Sequence, residues 1–565
     1  MKKMIPVLIA IVLILIIGAV SLGGMLWDKY SYSKERADLD AYYGVGSGGL
    51  AILLQDERIE GQALLRDGTL YFDIDTVWQY LNEGFYVDLN EQKLLYTEAD
   101  DTTTAQFGQT GYQDREGAHE GAYTVCFLEG ETLYVAADYV KLFTNYAYMP
   151  YDRYVQVNTQ WGVRETMEVT KKTQVRVKGG IKSPILRDLD KGETVEILEQ
   201  MDTWSKVKTS DSVIGYVENK RLGNLTTEVE TPVTDYVAPA YTSRLMDRKV
   251  SLGWHAVGGP AGNSTLDGMV AEGKGMNVIA PTWFSLTDNQ GNFRSFADAA
   301  YVSRAHGYGL QVWGVWDNFN YKNETGSDVN SLQILSSTTV RQQLVQNIVT
   351  TSVNLGLDGV NIDFESLSED CGIHYVQFLR ELSVLCRESG LVLSIDNYVP
   401  FHFNNYYRLD IQGQIADYVI IMGYDEHWHG SKDPGSVASI DYVSNGITNT
   451  LEKVPAQKVV NALPFYTILW RTEGTEVTDQ YITLNNMADY LARMNIQPEW
   501  DETTCQNYAE WQEGSATYQL WIEDAESIQV KLNVMGTKNI GGVAVWRLGY
   551  GTPAVWELVA AYAAQ

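Results

Sequence analysis

Cations are in short supply in this chain: 42 Lys and Arg stand against 72 Asp and Glu over 565 residues, a formal net charge of −30 at pH 7. That balance argues against a nucleic-acid binder, whose phosphate contacts demand Lys and Arg. It equally disfavours docking on anionic lipid head groups. Cysteine is scarcer still. Cys126, Cys371, Cys386 and Cys505 are scattered without a CxxC pair, so neither a disulfide framework nor a thiolate metal site is expected. Cys386 falls on the apolar face of a helical pattern, which predicts a buried free thiol. The seven histidines show no HExxH spacing, and His427 with His429 makes a loose pair at best, so no metal and no cofactor are expected. Only 13 prolines are present, while apolar residues make up 45% and charged residues 20%. Those shares exclude a disordered or fibrous chain. The length predicts roughly three to five domains. What the chain has in quantity is Tyr (36) and Trp (15), flat rings that suit both cores and sugar faces.

Charge is also missing from one long stretch. Met4 to Trp27 is an apolar run interrupted only by Pro6, Ser21 and glycines, long enough to cross roughly 30 Å of hydrocarbon as a helix. Lys2 and Lys3 precede it, which by the positive-inside rule keeps the amino end in the cytoplasm. Ala19-Val20-Ser21 is a poor substitute for a signal-peptidase site. Residues 1–27 therefore read as an uncleaved transmembrane anchor with the rest extracytoplasmic at the cell surface; cleavage would instead make a secreted protein. Residues 28–44 are polar and read as a stalk.

Residues 45–160 contain a weak duplication. Gly68-Thr69-Leu70-Tyr71-Phe72 and Glu131-Thr132-Leu133-Tyr134-Val135 are short alternating strands, each followed by a helix start with Asp75 or Asp138 at the cap. This segment resembles the small accessory domain named for the N-terminal region of copper amine oxidases; its single histidine, His119, offers no copper site. Residues 166–225 hold short strands separated by turns, the spacing of a small β-barrel. The order Lys191-Gly192-Glu193, Trp204, Val207, Gly215-Tyr216-Val217 resembles bacterial SH3-like domains, a resemblance that implies a cell-wall peptide as partner or a spacer role. Residues 226–243, rich in Thr, Pro and Val without helical period, read as a linker.

From 244 to 565, eight strand candidates alternate with amphipathic helices: Val250–Trp254, Asn277–Pro281, Leu310–Val315, Gly359–Phe364, Leu391–Ile395, Tyr418–Met422, Lys458–Leu463 and Gly542–Trp546. Continuously apolar strands alternating with helices predict a parallel α/β fold, and eight units in this length suit a (β/α)8 TIM barrel. The stretch Leu469–Trp521 would be an inserted α+β subdomain. The whole then reads as α/β: a barrel preceded by two small β-rich accessory domains and a transmembrane helix.

Barrel chemistry sits at the carboxyl ends of strands. The fourth strand reads Asp358-Gly359-Val360-Asn361-Ile362-Asp363-Phe364-Glu365. Alternation puts Asn361, Asp363 and Glu365 on the inner face and Val360, Ile362 and Phe364 against the helices. Polar groups inside a barrel are costly unless paired or functional. The stretch resembles the DxxDxDxE signature of glycoside hydrolase family 18, the chitinase-like family, with Asn361 where the pattern has its second Asp. Met422-Gly423-Tyr424-Asp425, Leu463-Pro464-Phe465-Tyr466 and the region from Trp521 to Trp546 match further elements of that family in the same order. Among its branches, the bacterial spore- and wall-associated one is closest.

The resemblance implies a retaining, substrate-assisted glycosidase acting on β-1,4-linked N-acetylglucosamine polymers, either peptidoglycan or chitin. Glu365 would be the general acid, Asp363 would accept the acetamido N–H, and Tyr424 would hold the acetamido oxygen. Trp546 would floor the reacting sugar with Met422 beside it, Asp425 would bond a hydroxyl, and Asn361 would complete the binding face. Trp254 and Trp283 are subsite candidates or core residues with equal claim. Asp358, at the strand start, is expected to serve structure. Asn361, a neutral amide donor, is expected to bond Asp363 and keep it acidic. The alternative is a catalytically silent glycan-binding member, against which the presence of Glu365 counts.

Overall fold

Eight apolar strands closed on themselves organise the C-terminal part of the computed structural model, which describes residues 4–45 and 48–565. They are β1 (Val250–His255), β2 (Val278–Leu286), β3 (Gln311–Asp317), β4 (Gly359–Asp363), β5 (Val392–Tyr398), β6 (Tyr418–Met422), β7 (Val459–Pro464) and β8 (Gly542–Trp546). Each pairs in parallel with the next, and β8 pairs with β1 through Val250 and Gly542 to shut the ring. Closure is tight at that seam, where a side chain at Gly542 would collide with the Val250 carbonyl oxygen. The strands are buried nearly throughout, as continuous apolar runs covered by helices require. Thus the α/β barrel expected over 244–565 is present, and all eight strands fall where the apolar runs lie.

The helices bury one face each on this ring. In Gly372–Ser389 the residues Tyr375, Phe378, Leu379, Leu382 and Cys386 point inward and are buried. Phe364, leaving β4 on its outer side, stacks on Phe378 at 5.4 Å with planes 5° apart. Cys386 is a free buried thiol there. The expected insertion forms a five-stranded antiparallel sheet from Tyr466–Glu473, Glu476–Thr483, Glu499–Asp501, Gln506–Glu513 and Ala516–Ile522, with helix Leu484–Met494 between the second and third. It is fastened by a buried ion pair: Lys531 Nζ meets Glu523 Oε1 at 2.7 Å, and Gln506 Nε2 donates to the same oxygen at 2.7 Å. A buried pair of this kind costs several kcal/mol when one partner is removed.

Two compact units divide the chain, and their border does not follow the boundaries read from the sequence. Residues 86–104 and 113–117, from the middle of the 45–160 segment, belong to the barrel unit. They are held there by Asp88, which accepts from the Thr338 backbone N–H at 2.8 Å, and by Tyr86, whose hydroxyl accepts from Arg341 Nη1 at 3.0 Å. The other unit contains the rest of 4–238 described by the structure. One seven-stranded sheet there includes both duplicated strands, Thr69–Asp73 and Thr132–Ala136, paired antiparallel. The predicted caps shift. Asp73 rather than Asp75 caps the first helix, accepting from Thr76 N at 2.7 Å, and the second, Ala137–Val140, has Ala136 in the cap position and no side-chain cap.

A second seven-stranded sheet runs from Val163 to Val229. Its last strand, Leu222–Val229, pairs with Val163–Val169, so the predicted linker starts later than residue 226. The predicted stalk is not free either: Ser33 N donates to Ile181 O at 2.8 Å and Ala37 N to Ile185 O at 2.9 Å, laying residues 33–37 along this sheet's edge. Ahead of it, Ile5–Tyr30 is one helix, long and apolar enough to cross a membrane and exposed along the whole described length. Lys2 and Lys3 lie outside the described residues.

Candidate active site

The inward face of β4 is the starting point of the site. Asn361 and Asp363 point into the ring, and Glu365 follows two residues later at its mouth. Glu365 is held from two sides. Its backbone N–H donates to Asn318 Oδ1 at 2.9 Å, and its carboxylate Oε2 accepts the Tyr398 hydroxyl at 2.7 Å. Burial raises its pKa; the Tyr398 hydrogen bond opposes this, while the charges of Asp425 and Asp317 add to it. Asp363 is half-buried, with its Oδ1 atom buried and without a hydrogen-bond partner among the described residues. Burial above all, then Glu365, Asp396 and Asp317, pushes its carboxyl well above the ordinary range.

Asn361 does not do what its position on the strand predicts. Its Oδ1 accepts the Trp254 indole N–H at 2.9 Å, and its Nδ2 donates to Ser394 Oγ at 3.1 Å and to Asp396 Oδ1 at 2.8 Å. Among the described residues Asn361 makes no donation to Asp363, so the expected lowering of the Asp363 pKa is corrected: the carboxyl is held above its ordinary range instead. The physical reason is strand pairing: β4 and β5 run side by side with Asn361 opposite Ser394, and Asp396, two residues further along β5, is within reach of the same amide. Asn361 and Trp254, both buried, form a supporting layer rather than a sugar-facing one. Trp283 is likewise core, its indole N–H donating to Asn263 Oδ1 at 2.8 Å.

Asp396 was not signalled by the sequence pattern, because Asp396 and Asn397 end the apolar run and the predicted strand stopped at Ile395. Burial raises its carboxyl well above the usual range too, with the Asn361 amide opposing and Glu365 adding. Tyr398, two residues further on the same alternation, was missed for the same reason. Extending the alternation through Ser394, Asp396 and Tyr398 would have found both.

The other predicted residues gather around this column. Tyr424, just past β6, is buried with its ring edge-on to Tyr466 at 6.4 Å. Burial first, and then the surrounding carboxyls led by Asp363, raise the pKa of its hydroxyl well above the ordinary range. Met422 is buried beside it. Asp425 has a left-handed backbone (φ 59°), a conformation Asp tolerates better than most residues, and its carboxylate accepts the Tyr466 hydroxyl. Trp546 ends β8 half-buried, edge-on to Trp254 at 6.0 Å. Asp425, Tyr466 and Trp546 open onto a cleft of about 610 Å³ whose walls add Asn320, Tyr481 and Arg547. Asp358 lies at the other end of β4, where Oδ2 accepts the Val312 N–H at 2.8 Å and contacts His306 Nε2 at 2.8 Å. A hollow of about 690 Å³ at that opposite end carries none of the column's groups.

Carboxyls raised above their ordinary range beside a cleft with an aromatic floor are equipped to protonate a leaving oxygen and to hold an amide. Comparison with known proteins agrees in kind. Residues 323–551, which include β4 to β8, match the family model of glycosyl hydrolases family 18, and residues 171–223 match that of the bacterial SH3 domain. The cortical fragment-lytic enzyme of Bacillus anthracis is 28% identical over 243 residues, 41% of this chain and 56% of that protein. The chain thus spans little more than half the length of the curated relatives it matches. Among solved structures, a chitinase from Chromobacterium violaceum ATCC 12472 superposes with a TM-score of 0.50 at 24% identity, over 56% of this chain and 99% of that one. The Bacillus cereus spore cortex-lytic enzyme SleL superposes with a TM-score of 0.50 at 22% identity, over 59% and 77%. These superpositions show the shared barrel.

Proposed function

We propose that this chain, which carries a family 18 glycosyl hydrolase domain and a bacterial SH3 domain, cleaves β-1,4-linked N-acetylglucosamine polymers of the cell wall with retention of configuration. The observation that carries the reading is the column Asp363–Glu365 at the barrel mouth. One carboxyl has a buried oxygen without a hydrogen-bond partner among the described residues, and the other accepts the Tyr398 hydroxyl.

In the reaction, the carbonyl oxygen of the substrate's own 2-acetamido group attacks C1 and the glycosidic C–O bond breaks. Glu365 gives its proton to the departing oxygen. Asp363 accepts the acetamido N–H on its free oxygen, which orients the acetamido group for attack as the oxazolinium ion forms. Tyr424 donates its hydroxyl to the acetamido oxygen, and Trp546 lies beneath the ring. Glu365, now a carboxylate, takes a proton from water, whose oxygen opens the oxazolinium at C1 with overall retention. Peptidoglycan is favoured over chitin because a wall-facing anchor and an SH3-like module would place the barrel against that polymer. The helix Ile5–Tyr30 would hold the protein in the membrane, and the SH3-like module would take a wall peptide.

The test is digestion of peptidoglycan and of chitin oligosaccharides by the detergent-solubilised full chain, with reducing ends identified by mass spectrometry. New N-acetylglucosamine reducing ends are expected, and glycans with an unacetylated amine at the reacting sugar should resist. Cleavage next to glucosamine at a comparable rate would overturn the substrate-assisted route. A silent glycan-binding role would be left standing if no ends appear while the glycans still bind.

A further inference from the structure

Four charged residues line the cleft, and three of them have polar partners that answer their charge. Arg294 is paired with Glu324, and Asp425 takes the Tyr466 hydroxyl. Arg547 is different. It is the first residue beyond β8, next in chain to the Trp546 floor, and no carboxylate lies within ion-pair distance of it among the described residues. Its Nη2 donates to the Tyr550 hydroxyl at 2.6 Å, and its guanidinium stacks on the same ring 4.3 Å from the centroid. The charge is felt nearby: burial first, then Arg547, pushes His255 down to about 4.

A chain with 30 more acidic than basic charges could readily have supplied a partner. Stacking fixes the plane of the guanidinium, and Tyr550 occupies one of its five N–H donors. The remaining fork matches a carboxylate in two parallel hydrogen bonds. Chitin offers such a fork only neutral hydroxyls and amides. The alternating sugar of peptidoglycan carries an O3-linked lactyl group that ends in a free carboxyl where no peptide is attached, and in an amide leading to a peptide with acidic residues where one is.

We propose that Arg547 binds a carboxylate carried by the sugar next to the reacting N-acetylglucosamine, so that the cleft selects the muramic-acid polymer over chitin. The inference rests on the glycan-binding reading given above and names its substrate. The carboxylate comes either from the lactyl group itself or from an acidic residue of a peptide attached to it.

Binding is measured by calorimetry with the full chain in detergent, carrying Glu365→Gln so that probes stay intact. Three tetrasaccharides of alternating N-acetylglucosamine and N-acetylmuramic acid are compared: one with free lactyl groups, one with lactyl methylamides, and one with alanyl-glutamate attached. The free lactyl form is expected to bind about ten- to a hundredfold more tightly than the methylamide. Adding Arg547→Gln should reduce that ratio to within about twofold. In the singly substituted protein the ratio should also shrink with added salt, a reading that does not depend on how the double variant folds. If the glutamyl form binds as tightly as the free lactyl form, Arg547 reads the peptide as well; if it binds like the methylamide, Arg547 reads the lactyl group alone.

Equal affinities for all three forms, a preference that survives Arg547→Gln, or no binding by any of the three overturns the assignment. Hydrolysis by the unsubstituted chain is scored separately. Cleavage without a carboxylate preference leaves the hydrolase reading standing and removes Arg547, whereas a carboxylate preference without cleavage does the reverse.

Discussion

Tyr398 and Glu365 together decide how a proton is kept at the barrel mouth. Replacing Glu365 by Gln preserves shape but removes the transferable proton, so glycan cleavage is expected to fall by about 10²–10⁴-fold with binding retained. Near-normal turnover of chitin oligosaccharides by that variant would take Glu365 out of the mechanism. Tyr398→Phe is the subtler change. The hydroxyl favours the ionised form of Glu365, so its loss raises the pKa of the acid further. A general acid is active while protonated, and the alkaline limb of the pH–rate profile should therefore move to higher pH. The carboxyl would also lose its orientation, lowering kcat by roughly tenfold with KM little changed. An unshifted alkaline limb would show that the 2.7 Å contact does not act on the proton.

At the scale of the strands, β4 and β5 bring three reluctant acids together: Asp363, Glu365 and Asp396 are all raised, with burial the first cause in each. A carboxyl whose pKa is higher folded than unfolded stabilises the fold below the range where free carboxyls ionise, about pH 4, and that contribution is lost as pH rises through the elevated value. Chemical denaturation across pH should show barrel stability declining upward from that range. The slope is at most about 1.4 kcal/mol per pH unit for each group. Asp396→Asn removes one titrating group while keeping an acceptor for Asn361, and should flatten the slope; an unchanged slope would mean Asp396 does not titrate in that window. Asn361→Asp sets a further carboxyl against Asp396 in the same buried layer and should cost about 1–3 kcal/mol, more at high pH.

The strands themselves were legible because a barrel strand buried on both faces must be an apolar run, and Val250, Val278 or Val459 announce theirs. The polar inner face of β4 was legible by alternation. What escaped detection was whatever breaks the run: Asp396 and Tyr398 lie beyond the point where β5 ceases to look apolar, and the bond Asn361 makes to Asp396 depends on which strand is its neighbour. Residues 86–104 were read with the small domain because nothing in their alternating pattern says that Asp88 will cap the helix beginning at Thr338.

For the molecule as a whole, the first expectation is location. Cell fractionation should find the protein in the membrane pellet, resistant to high salt and released by detergent, and a mature N-terminus beyond Ser21 would instead mark a cleaved, secreted protein. The paired segment 33–37 then acquires a mechanical meaning. The apolar helix ends at Tyr30, and the chain is already hydrogen-bonded to the edge of the SH3-like sheet at Ser33. Three residues of extended chain reach roughly 10 Å. A membrane-held helix would therefore have almost no slack, and the module could sweep only the layer directly outside the bilayer. Pulling on the chain would load the Ser33–Ala37 hydrogen bonds, as a seam under tension, before it lengthened any leash.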